Sequence, residues 1–152
     1  MDRKRQEEIP RRSTGLRQTS LVIDDPLERL RAICMALPET TERLSHGEPT
    51  FFVRGKRVFV TYADHHHDGR LSFWCHAPAG TQQALVKSDP KRFFVPPYVG
   101  GRGWIGVNLD GAREEAFWHE IAELVEDAYR MVAPRTLLAG LDADRSEAQR
   151  RS

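Results

Sequence analysis

Two periods divide this chain. Leu27, Leu30, Ile33, Cys34 and Leu37 recur at helical spacing, and Pro38 ends the run. Asp24-Asp25-Pro26 supplies the start: a carboxylate that caps the first turn, then a proline whose missing N–H is not needed there. Beyond Pro38 the period falls to two, with glycine and proline as punctuation. Strands are expected at Thr41–Ser45, Thr50–Val53 and Val58–Tyr62, with a turn at Gly47-Glu48-Pro49 and a tight connection at Arg54-Gly55-Lys56. After the loop ADHHHDGR come a strand at Leu71–Cys75, a short helix at Thr81–Val86, the aromatic segment FFVPPYVGGRG and a strand at Trp104–Leu109. A long helix is expected from Glu114 to Val132, with Phe117, Ile121, Leu124, Val125, Ala128 and Val132 on one face. Helices bracketing an antiparallel meander predict an α+β sandwich with the helices on one face of the sheet.

Composition narrows the class without changing that picture. A chain of 152 residues with 39% hydrophobic content suits one domain, since a chain of this size buries about 70% of its unfolded surface. No apolar stretch is long enough to cross a bilayer, and MDRKRQEEIPRR lacks the apolar core of a signal peptide, so a cytoplasmic protein is expected. Cys34 and Cys75 sit in apolar segments without Cys-x-x-Cys spacing and read as reduced core thiols.

Charge bears more directly on function. Residues 1–20 carry six Lys/Arg against three Asp/Glu, residues 142–152 balance to zero, and the remainder holds 14 basic and 16 acidic side chains. A slightly acidic body is no general polyanion binder, so any nucleic-acid contact must come from local basic loops or the N-terminal arm. The expected organisation is a polar, disordered basic arm over residues 1–22, a single domain over 23–141 and a flexible tail over 142–152.

Four ordered segments carry a family resemblance between Leu27 and Leu141: the helix ending in ALPE, HGEPTFFVRGKRVF, DPKRFFVPPYVGGRGWIGVNLD and ELVEDAYRMVAPRTL. Together they resemble the MmcQ/YjbR family of small bacterial proteins, often labelled DNA-binding. The resemblance implies a frataxin (CyaY)-like sandwich, with two helices on one face of an antiparallel sheet. Many members carry a Lys and a His just before the tryptophan, where this chain has Gly101-Arg102-Gly103-Trp104. A role for that histidine does not transfer; Arg102 keeps the positive charge.

Several candidate readings follow. His46 beside Glu48 has the residue types of a general base and its orienter, but Gly47 and Pro49 give the segment an ordinary role as a turn, and no catalytic residue is assigned. His65-His66-His67 reads as a solvated loop, because adjacent side chains on a loop diverge instead of converging on a metal. Iron at the first helix, which a frataxin-like fold raises, is disfavoured because Asp24, Asp25 and Glu28 are mixed with Arg29 and Arg31. No metal or cofactor is therefore expected. The leading expectation is a non-enzymatic, monomeric DNA-binding protein using Arg54, Lys56 and Arg57 at a hairpin tip and Lys91, Arg92 and Arg102 around the aromatic segment. The alternative is a small-molecule pocket between sheet and loop, serving binding or catalysis and lined by His46, Glu48, Tyr62, Trp74 and Trp104. An interaction protein without chemistry is the third reading.

Overall fold

The computed structural model describes residues 25–64, 70–112 and 114–151. The basic arm and His65-His66-His67 lie outside them. The first helix, α1 (Pro26–Met35), starts as its sequence predicts: Asp25 Oδ1 accepts the Leu27 N–H at 3.0 Å and Pro26 opens the first turn. Leu30 and Cys34 are its buried face.

The meander is β1 (Thr40–Ser45), β2 (Glu48–Val53), β3 (Arg57–Asp64) and β4 (Leu71–Cys75). The first turn is not Gly47-Glu48-Pro49. His46 and Gly47 make it alone, with φ of 53° and 81°. Two consecutive positive φ values give a two-residue turn whose twist matches that of the flanking strands. Pro49 consequently lies within β2, opposite Leu44, and the β2–β3 ladder begins only at Thr50. Its missing N–H interrupts no ladder there.

After α2 (Thr81–Ser88), β5 (Phe93–Phe94) and β6 (Ile105–Asn108) complete a six-stranded antiparallel sheet of order β1-β2-β3-β4-β6-β5. β5 was not foreseen; two residues are too few to show a period, and β6 supplies its only ladder. The chain closes with α3 (Glu115–Val132) and α4 (Arg135–Arg151). Where a flexible tail was expected after Leu141, the backbone stays helical to Arg151, although Leu141 is the only buried residue of α4.

A register slip decides which side chains share a face. Phe51 pairs with Val60 and Phe52 with Val58, so Phe59 is the extra residue of a β-bulge. Phe59 and Val60 therefore both join the helix-side core with Phe51, Phe73, Ile105 and Val107, under Leu30, Ile121, Val125 and Tyr129. Tyr129 meets Phe59 edge-on at 5.6 Å, and its hydroxyl donates to the Pro38 carbonyl at 2.8 Å. Both thiols are free and buried in this core, and burial raises their pKa values. The opposite face carries a smaller apolar cluster of Ala63, Trp74, Phe94 and Trp104.

Candidate functional site

That second face is where the polar and aromatic positions meet. Strand alternation aims Thr50 and Phe52 of β2, Val58, Thr61 and Ala63 of β3 and Trp74 of β4 away from the helices. A wall rises beside them from the loop between β5 and β6. Buried Gln82 of α2 holds it, its Nε2 donating to the carbonyls of Gly100 at 2.9 Å and Trp104 at 2.6 Å. Between floor and wall lies a cavity of about 580 Å³ lined also by Ser45, His46, Glu48, Tyr98, Val99, Arg102 and Trp104. Its size falls within the ordinary range of small-molecule sites.

His46, Glu48, Tyr62, Trp74 and Trp104 all border this one cavity. Tyr62 does so from the sheet itself, since it belongs to the helix-side core. Glu48 is positioned by its turn: Oε2 accepts the Asp64 N–H at 2.9 Å and the Glu48 carbonyl accepts from Thr50 Oγ1 at 2.9 Å. The Arg43 guanidinium stacks 3.7 Å over Phe52. Trp104 packs 4.4 Å from His76, and its buried Nε1 donor has no hydrogen-bond partner among the described residues. Such a donor costs about 1–3 kcal/mol until an acceptor reaches it.

The two ends of the cavity carry different side chains: Glu48 lines it beside the β1–β2 turn, and Arg102 lines it beside Trp104. On the helix side of the sheet, burial first and then the carboxylates of Asp64, Asp25, Glu48 and Asp110 push the Tyr62 phenol up to about 12. Against Trp104, burial first and then Arg102 and Arg57 lower the pKa of His76.

The six basic residues expected to grip phosphates do not form one surface. Arg54 pairs with Glu39 at 2.8 Å. Arg92 pairs with Glu114 at 3.1 Å and lies over the Phe117 ring. The register places Arg57 opposite Val53, at the sheet end that also holds His76 and Trp104. Lys91 and Arg92 lie at the other end, where their carbonyls receive hydrogen bonds from Asn108. Only Arg57 and Arg102 come near a common group, His76. Lys56 and Lys91 are exposed. At α1, Arg29 pairs with Glu115, and Arg31 with Glu42 and Glu28. Among the described residues no three His, Cys, Asp or Glu side chains converge as a metal set, and no helix is long and apolar enough to cross a membrane.

The YjbR family model matches residues 35–131, the whole of this sheet together with α2 and all but the last residue of α3. The chain belongs to the YjbR family. Among solved structures, the Deinococcus radiodurans protein DR2400, with domain DUF419, superposes with a TM-score of 0.57 at 21% identity, covering 70% of this chain and 77% of that one. At that identity the likeness establishes the fold alone. No curated protein matches the chain.

In this YjbR-family protein, sequence reasoning missed Thr50, Phe52, Thr61, Tyr98 and Arg102 as neighbours of the cavity, Arg102 having been assigned to phosphate contact. Thr50 and Phe52 were within reach, because they alternate with the core residues Phe51 and Val53. Thr61 was not, since the bulge at Phe59 resets the alternation. Nothing local marks Gln82 as buried; its two acceptors lie 18 and 22 residues away.

Proposed function

We propose that this YjbR-family protein is a binding module for a small, largely aromatic molecule held on the open face of the sheet. With it we propose a frataxin-like layering, in which α1 and α3 cover one face and leave the other to ligand. The cavity of about 580 Å³ carries the reading: it combines ring faces from Phe52, Trp74, Trp104 and Tyr98 with a few polar groups at its ends. Duplex contact has less support, because Arg54 and Arg92 are already paired with carboxylates, and Lys91 and Arg92 lie at the sheet end opposite the hairpin tip.

The test is ligand-observed NMR of wild type and Thr61→Phe against a set of small aromatic compounds, with duplex DNA run in parallel at low salt. Thr61 faces the cavity opposite Trp74, so phenylalanine fills the floor at a position that suits strand residues. Compounds that bind wild type are expected to be lost in Thr61→Phe. No aromatic binder, or binders retained by that variant, would remove the cavity reading. Salt-sensitive duplex binding, lost on replacing Arg54, Lys56 and Arg57, would put the nucleic-acid reading in its place.

A further inference from the structure

Cavity and charge together say more about the occupant than that it is aromatic. Arg102 lines the cavity, is exposed, and pairs with no carboxylate among the described residues, whereas Arg29, Arg31, Arg54 and Arg92 each do. Trp104, two residues further along the chain, lines the same cavity. Arg57, the first residue of β3, adds a second positive charge at this end. Positive charge thus gathers at one end of the cavity, where Arg102 has no carboxylate partner among the described residues. At the far end the cavity is lined by Glu48.

We infer that the ligand is a planar aromatic anion, bound with its anionic group at the Arg102 end and its ring against Trp74 and Trp104. This rests on the cavity reading above. The reverse orientation sets the anion beside Glu48, and a neutral ligand leaves the Arg102 charge unanswered. A guanidinium suits this task because its planar fork meets a carboxylate or sulfonate with paired hydrogen bonds, while the indole faces accept the ring.

Two dyes separate the inference from the reading beneath it. 8-Anilinonaphthalene-1-sulfonate and N-phenyl-1-naphthylamine share a ring skeleton and differ in the sulfonate. Each is titrated by fluorescence into wild type, Arg102→Gln, Arg102→Lys and Thr61→Phe, with circular dichroism confirming that every variant is folded. Wild type is expected to hold the sulfonate at least about tenfold tighter than the neutral dye. That preference should collapse toward one in Arg102→Gln and survive in part in Arg102→Lys. Both dyes should be lost from Thr61→Phe. Equal affinity for the two dyes in wild type, or a preference that persists in Arg102→Gln, overturns the anion inference while loss in Thr61→Phe keeps the cavity reading. Failure of both dyes to bind wild type, or wild-type affinity in Thr61→Phe, overturns the cavity reading and the inference with it.

Discussion

Gly106 on β6 lies directly beneath the Phe94 ring, which occupies the space a Cβ would need. Phe94 can cover the apolar cluster only because that strand position carries no side chain. Gly106→Ala is expected to displace the ring and cost about 1–3 kcal/mol, read as a lower urea midpoint. An unchanged midpoint would show that the ring has another place to go. Against the Trp104 ring, His76 has its pKa lowered by burial first and then by Arg102 and Arg57. Its folded pKa lies below the unfolded value, so the unfolded chain takes up the proton first as pH falls. The His76 contribution is therefore present above about pH 6.5 and is lost progressively below it. His76→Gln should flatten the fall in melting temperature on acidification from neutral pH. An identical pH profile in the variant would exclude His76 as a contributor.

Among the elements, α4 is the most unevenly anchored. Leu141 is buried, while the turns beyond Asp142 are exposed and include ion pairs such as Arg145–Glu126. Ending the chain after Asp142 retains Leu141 and the Arg130–Asp142 pair. It should change stability by no more than about 0.5 kcal/mol. Leu141→Ala in the full chain should cost about 2–3 kcal/mol, since it opens space between α4 and the core. Chemical denaturation distinguishes the two, and a truncation as costly as Leu141→Ala would mean that the last turns are integral to the fold. The β1–β2 hairpin differs in kind: its register comes from the two positive-φ residues His46 and Gly47, and that register sets Glu48 against Asp64 at the cavity mouth.

At the scale of the whole molecule, the sheet separates a packed helix side from a side that holds the cavity, and the cations are spread over both sheet ends. Six phosphate contacts would give a salt slope near −5 for duplex binding, at about 0.9 per contact. With Lys91 and Arg92 at the opposite sheet end and Arg54 paired, any duplex binding should instead show a slope of about −3 or shallower. A filter-binding titration reads it directly, and a slope near −5 would show all six cations engaged.

Local rules carried much of this protein. The cap at Asp25, the strand at Leu71–Cys75 and the α3 stripe rest on neighbours within a few positions, so they are visible in the sequence and appear in the structure. The aromatic and polar residues around the cavity could also be named from composition and spacing, because ring-rich strands and Gly-rich loops are local features. Tertiary structure alone decided the rest. Arg54 meets Glu39 across 15 residues and Arg92 meets Glu114 across 22, and no local pattern says which cations are consumed in such pairs. β5 exists only where β6 offers a ladder, and the bulge at Phe59 swaps which side chains face the helices. Backbone propensity acts over a turn or two of chain, whereas a charge seeks whichever partner the fold brings near. The sequence therefore determined the elements and the apolar faces, and folding decided which charges stayed available at the cavity.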